Sequence, residues 1–122
     1  MKKLYALRGA VQCENNASDI CLQIGILYDE LLSKNNLTES DIVSCIFSIT
    51  SDLDAVNPAS AFRRHKSLEV SDLSFALFSV QEPDTQDALE RTVRILIHCY
   101  LDEGSALYHV YRNGAEKLIK NN

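Results

Sequence analysis

The sequence has 122 residues, of which 46% are hydrophobic and 24% charged, and its formal net charge is -5. This length fits one domain over residues 1–122, and the composition is that of globular rather than disordered or membrane proteins. The acidic balance argues against a nucleic-acid or anionic-membrane surface, which needs clustered Lys and Arg. We therefore expect neither nucleic acid nor membrane as a partner.

The cysteine pattern predicts the cellular compartment. The four cysteines show no CxxC pairing, and each lies in or beside an apolar stretch, where a free thiol behaves as a small hydrophobe; they are Cys13, Cys21, Cys45 and Cys99. Polar residues soon after Arg8 interrupt any signal-peptide core, and no apolar run is long enough to span a bilayer. We expect reduced thiols and a cytoplasmic protein.

The chain begins with a predicted strand and a predicted helix. Residues 3–13 favour a strand, in which Gly9 allows a close backbone approach or a bulge. Asn16 or Ser18 then caps a helix whose apolar residues recur at three- and four-residue spacing. This helix is expected to end near Asn35 and to pack on one face.

A second strand and a second helix follow. Thr38 with Asp41 resembles a capping box for a short helical turn, and residues 42–50 are β-branched and apolar enough for a strand. Pro58 suits the first turn of the next helix, which continues towards Ser67 with a basic exposed side.

Three further strands are predicted at residues 73–81, 92–101 and 108–112, before a brief helical turn at residues 115–119. The strand at 92–101 is apolar on both alternating faces, as expected for the centre of a sheet. The order predicts an α+β fold in which helices cover one face of a mixed sheet. Because the other face is also apolar, we expect a homo-oligomer with closed symmetry.

Three charged residues interrupt apolar strands or end them. Arg94 lies among β-branched and aliphatic residues, which implies a fixed anion, either a ligand or a structural partner such as Glu82 or Glu90. Arg8 is a second cation in an apolar strand, although it also fits a side chain that reaches solvent. Glu82 follows a strand end, where ligand contacts collect, but it also fits an exposed turn carboxylate.

Other kinds of chemistry find no support in the sequence. His65, His98 and His109 lie on different elements without metal-ligand spacing, so we expect no metal site. The chain has no Gly-rich phosphate loop, nucleophile elbow or nucleotide fingerprint. An anion-binding pocket is the remaining hypothesis.

Several segments of the sequence form one pattern in their order and spacing: Leu7–Ala10, Asp52–Val56 with the helix after it, Ser79–Glu82, Arg94 and His109–Tyr111. Together they resemble the AroH-type chorismate mutases. The resemblance runs from about residue 4 to residue 118. It implies a ferredoxin-like subunit in a homotrimer around a barrel-like core, with active sites between neighbouring subunits.

The same resemblance implies roles for single residues. Arg8, Arg94 and Tyr111 would contact the carboxylates of chorismate, and Arg94 would also reach the ether oxygen. Glu82 and Ser79 would meet the ring hydroxyl. Arg63 and Ala59 would come from the neighbouring subunit, and Leu118 belongs to a tail that closes over the pocket.

The activity so implied is the cofactor-free rearrangement of chorismate to prephenate, in the biosynthesis of phenylalanine and tyrosine. A rival hypothesis from another class is a non-catalytic trimeric protein of the same fold that binds a metabolite. Asn57, Ser60 and a short tail depart from the family pattern and favour this rival. Arg8, Glu82, Arg94 and Tyr111 together favour the enzyme.

Overall fold

The computed structural model describes residues 1–66 and 73–121. These two described ranges contain five strands and two helices, which confirms the predicted α+β class. In chain order they are β1 (Lys2–Gln12), α1 (Ala17–Lys34), β2 (Ile42–Ile49), α2 (Pro58–Lys66), β3 (Ala76–Gln81), β4 (Thr92–Asp102) and β5 (Val110–Arg112). Short 3₁₀ helices cover Glu39–Asp41 and Ala115–Asn121.

The predicted bounds differ from the observed ones mainly at strand ends. β3 begins at Ala76 rather than at residue 73, and β5 begins at Val110 rather than at residue 108. Both are short outer strands with one neighbour each, so their ends depend on that neighbour rather than on apolar pattern alone. The predicted continuation of α2 to Ser67 lies outside the described residues.

The sheet is mixed, with the strand order β3-β2-β4-β1-β5. β4 is antiparallel to β1 and β2, while β3 and β5 are parallel to their neighbours. The central place of β4 explains its apolar residues on both faces. The ferredoxin-like description needs correction, because α2 follows the second strand here and not the third, as that fold requires.

Both helices cover the same face of the sheet, as predicted. The main core lies there and contains alternate strand residues together with the inner stripe of α1, among them Leu7, Val11, Ile24, Leu31, Phe47 and Ile97. Gly9 allows the close approach predicted for it, since an added Cβ would lie 2.9 Å from Leu31 Cδ1. The β1–β4 register is continuous, so Gly9 marks no bulge.

The two predicted helix caps have different outcomes. Asn16, rather than Ser18, caps α1, because its Oδ1 accepts a hydrogen bond from the backbone N–H of Asp19 at 2.8 Å. The predicted capping box is wrong. Thr38 Oγ1 instead donates to the carboxylate of Asp41 at 3.2 Å, and the backbone carbonyl of Thr38 closes the turn.

The face of the sheet away from the helices, here called the open face, carries exposed apolar side chains. Alternation along the strands places them opposite the core residues; they are Leu4, Phe78, Val80 and Tyr100. The open face also carries Arg8 and Arg94, which occupy the same alternating positions. In the described part of the chain, no helix is long and apolar enough to cross a membrane.

Candidate functional site

A cavity of about 190 Å³ lies on the open face, above the middle of the sheet. Arg8 and Arg94 line it together with Tyr111, so both cations of the sequence analysis share one concave site. Strand register explains the grouping, because Ala10 pairs with Arg94 on one side and with Tyr111 on the other. Side chains of directly paired residues project from the same face.

Arg94 forms an ion pair with Glu82, whose Oε1 lies 3.4 Å from the guanidinium Nε. The pair is partly accessible, with the side chain of Arg94 40% exposed and that of Glu82 21% exposed. Glu82 is therefore not the exposed turn carboxylate considered above. Its backbone N–H donates to the carbonyl of Ile49 at 3.0 Å, which fixes the residue just beyond β3.

The two hypotheses for Arg94 both describe part of its environment. It has the internal carboxylate partner that a structural role requires, and that partner is Glu82, whereas Glu90 lies 3.9 Å from the neighbouring Arg91. Arg94 also lines the cavity. A partly accessible ion pair of this kind stabilises a fold little, so a gain in stability alone does not explain the presence of Arg94 in the sheet.

Ser48 belongs to the site, although sequence reasoning missed it. It lines the cavity directly opposite Arg94 in the β2–β4 register, and its hydroxyl donates a close hydrogen bond to Glu82 Oε1. Alternation along the strand at residues 42–50 would have placed it on the face opposite the core. The signal that could have identified Ser48 was a polar side chain in an apolar strand, at a position facing away from the core.

A second cavity of about 500 Å³ adjoins the first at Arg94. Glu82 and Leu118 line it, together with Thr50 and Thr92. Leu118 is held by a small apolar cluster with Ala10 and Ala115, which seats the last 3₁₀ helix against β1. Arg94 thus lies between the chamber that contains Arg8 and the chamber that contains Glu82.

Ser79 and Ala59 lie elsewhere in the same chain. Ser79 Oγ donates to Asn57 Oδ1 at 2.9 Å and accepts from the backbone N–H of Ala59 at 3.3 Å. These contacts group Ser79 with the start of α2, and not with Glu82. Within one chain, the structure therefore does not bring Ser79 and Ala59 to Arg94.

Arg63 is also separate from the two cavities. It lies on α2, on the side of the sheet that carries the main core, and it is partly buried rather than fully exposed as the predicted basic side implied. Its Nε is buried and has no hydrogen-bond partner among the described residues. A role for Arg63 at the site stays a prediction that requires a neighbouring subunit.

His109 contacts the backbone of Arg8, one of the two arginines of the first cavity. Its Nδ1 accepts a hydrogen bond from the backbone N–H of Arg8 at 3.0 Å. Burial, with the nearby Arg8 charge, lowers the pKa of His109, which favours the neutral ring that this acceptor role needs. Among residues 1–66 and 73–121, no three His, Cys, Asp or Glu side chains form a group able to hold a metal ion.

The arrangement suits a small ligand with two negative charges and a hydroxyl group. Guanidinium groups bind carboxylates through paired, directed hydrogen bonds. Tyr111 offers a phenolic hydroxyl beside them, and Glu82 offers an acceptor for a ligand hydroxyl. The chemistry available is binding, orientation and stabilisation of developing negative charge.

Comparison with known proteins gives one consistent answer. A family model described as chorismate mutase type I matches residues 4–121. The chain is 29% identical over 119 residues to chorismate mutase AroH of Bacillus subtilis (strain 168), an alignment that covers 95% of this chain and 87% of that protein.

Structure comparison agrees with sequence comparison. A solved chorismate mutase from Clostridium thermocellum is similar with a TM-score of 0.83 and 38% sequence identity, over 93% of this chain and 99% of that one. Both the fold and the sequence over nearly the whole chain are therefore those of one group of enzymes. The chain belongs to the type I chorismate mutase family, which confirms the family and the activity predicted from its sequence.

Proposed function

We propose that the chain converts chorismate to prephenate in the two adjoining cavities of the open face, as an enzyme of aromatic amino-acid biosynthesis. One observation carries the site assignment: Arg8, Arg94 and Tyr111 face a single cavity, and Glu82 is ion-paired with Arg94 at its border. The residues meet the needs of a hydroxylated dicarboxylate. Membership of the family supplies the activity class.

The reaction breaks the ether C–O bond of chorismate while a new C–C bond forms, in one concerted rearrangement. No proton is transferred and no covalent bond to the protein forms. The protein has to hold the dianion in the compact conformer in which the two reacting carbons approach each other. In this proposal Arg8 and Tyr111 hold carboxylate groups, and Glu82 accepts the ring hydroxyl.

Negative charge develops on the ether oxygen as its bond breaks. A guanidinium already aimed at that oxygen stabilises the transition state more than the ground state. Arg94 takes this role, since it lies between the two cavities and its ion pair with Glu82 holds it there. Leu118 lines the second cavity, and in this proposal it belongs to the tail that closes over the substrate.

The homotrimer with a barrel-like core is part of the same proposal. Exposed apolar residues on the open face support it, because Phe78 and Tyr100 would lose contact with water on association. The two cavities of one chain do not contain Arg63, Ala59 or Ser79. These residues can therefore reach a substrate there only from a neighbouring subunit. The proposal also includes a single domain over residues 1–122 and a cytoplasmic location. Four free thiols favour that location.

Assay of the purified protein with chorismate, after treatment with EDTA, tests the proposed function. We expect loss of chorismate well above the uncatalysed rate and formation of prephenate, which acid converts to phenylpyruvate. Calorimetric titration with chorismate tests the rival hypothesis in parallel. Saturable binding without turnover would establish a metabolite-binding protein and contradict the proposal.

A further inference from the structure

We propose that Ser48 is a positioning residue that fixes the carboxylate of Glu82 for the rearrangement. This inference rests on the proposed function and adds to it a group that acts through Glu82 and not by touching the reacting atoms. It is carried by the position of Ser48 in the lining of the first cavity and by its hydrogen bond to Glu82.

One carboxylate oxygen of Glu82 receives a hydrogen bond and an ion pair. Glu82 Oε1 accepts the hydrogen bond from Ser48 Oγ and lies 3.4 Å from Arg94 Nε. The other oxygen, Oε2, makes no hydrogen bond or ion pair within the described parts of the chain. Ser48 and Arg94 together thus occupy one oxygen and leave the second to accept a ligand hydroxyl.

The two residues of this contact lie in different kinds of backbone. Glu82 lies after the end of β3, in a segment without regular structure, whereas Ser48 lies inside β2 with strands on both sides. Ser48 and Arg94 are directly paired across β2 and β4. The sheet therefore sets the distance between Ser48 and Arg94. The hydrogen bond and the ion pair together set the direction of a carboxylate whose side chain could otherwise rotate.

Three variants, each assayed for kcat and KM with chorismate, test this role. Ser48→Ala removes the donor, and we expect kcat to fall about tenfold with KM changed less than twofold, as when a hydrogen bond to a charged group is lost. Ser48→Thr keeps a hydroxyl on a strand-favouring side chain and should restore most of kcat. Ser44→Ala is the matched control, since Ser44 lies on the same strand and contacts His98 at 3.1 Å instead of Glu82.

A double-mutant cycle separates positioning from a structural effect. If Ser48 acts through Glu82, Ser48→Ala causes no further loss of kcat in a Glu82→Ala background, and thermal melting shows the same fold for each variant. An additive loss would overturn the inference, as would a Ser48→Ala enzyme within twofold of wild type or an equal loss in Ser44→Ala.

Failure of the proposed function would be visible separately. A wild-type protein that binds chorismate without turnover contradicts the proposed function, and the same variants compared by Kd then test Ser48, with weaker binding expected only for Ser48→Ala. A wild type with neither turnover nor binding overturns both proposals.

Discussion

Arg94 illustrates how one residue can combine a structural contact with a proposed functional one. A cation in the central strand needs an anion nearby, and Glu82 supplies it within the same chain. Arg94 also lines both cavities, so in the proposed mechanism the dianion would meet a donor whose direction is already fixed. Pre-aimed donors cost no reorganisation during the reaction, which is the reason that they accelerate it.

Replacing Arg94 with lysine separates its charge from its geometry. Arg94→Lys keeps the positive charge but loses the planar fork, and an ammonium seldom gives two directed hydrogen bonds, to a carboxylate and an ether oxygen, at once. We predict that kcat falls by about 10² or more, while the melting temperature changes little. Steady-state kinetics and thermal melting measure the two effects.

Arg64→Lys serves as the control for this substitution, because Arg64 is an exposed arginine on α2 outside both cavities. It should leave kcat and KM unchanged. A purely structural Arg94 would give the opposite pattern, with a lower melting temperature and near-normal turnover in the protein that remains folded.

At the scale of single residues, the sequence pointed to candidate site residues where a charged side chain stands among apolar neighbours. Arg8 and Arg94 stood out because a charge inside an apolar strand needs an explanation. Ser48 did not, because a serine in a strand carries no charge, and its role depends on a contact with Glu82, 34 positions away. The sequence analysis offered Glu82 and Glu90 as structural partners of Arg94. Choosing between them requires distances that only the structure supplies.

Gly9 controls the packing of α1 against the sheet. A Cβ at this position would lie 2.9 Å from Leu31 Cδ1 and 3.0 Å from Leu27 Cδ1, closer than ordinary van der Waals contact. Both leucines are buried on the inner stripe of α1. The helix lies as near to β1 as it does because Gly9 has no side chain.

We therefore predict that Gly9→Ala lowers the free energy of unfolding by about 1–3 kcal/mol, the usual range for overpacking a core. Urea denaturation at one fixed protein concentration measures it. Leu31→Ala should relieve the clash, so Gly9→Ala should cost less in that background than in wild type. Equal costs in the two backgrounds would show that Leu31 is not the residue that Gly9 accommodates.

The sequence predicted elements well where hydrophobic periodicity was long and strong. α1 has a stripe along its whole length and an Asn cap, and β4 has apolar residues on both faces, so both were placed close to their observed ends. The first residues of β3 and β5 were missed by two or three positions. The Thr38 capping box failed because the backbone N–H of Asp41 donates to the carbonyl of Thr38, while the Thr38 hydroxyl donates to the Asp41 carboxylate. No spacing rule predicts this choice of partners.

At the scale of the whole molecule, the proposed trimer explains both the exposed apolar side chains of the open face and the position of α2 away from the cavities. Apolar side chains at Leu4, Phe78 and Tyr100 are exposed in the single chain. Arg63 lies on α2, away from the cavities that contain Arg8 and Arg94. A closed trimer would cover the first group and bring Arg63 of one subunit to the cavity of the next. Periodicity predicted association, but the number of subunits came from the family resemblance alone.

Complementation between two inactive variants tests the central claim, an active chorismate mutase whose site is shared between subunits. Arg63→Ala and Arg94→Ala proteins, each with very low kcat alone, are unfolded together and refolded at equal amounts, and chorismate turnover is measured. With random mixing in a ring of head-to-tail interfaces, we predict recovery of about a quarter of wild-type activity, from sites that take Arg94 from one subunit and Arg63 from its neighbour. Mixed trimers that form but stay as inactive as either parent would contradict the shared site.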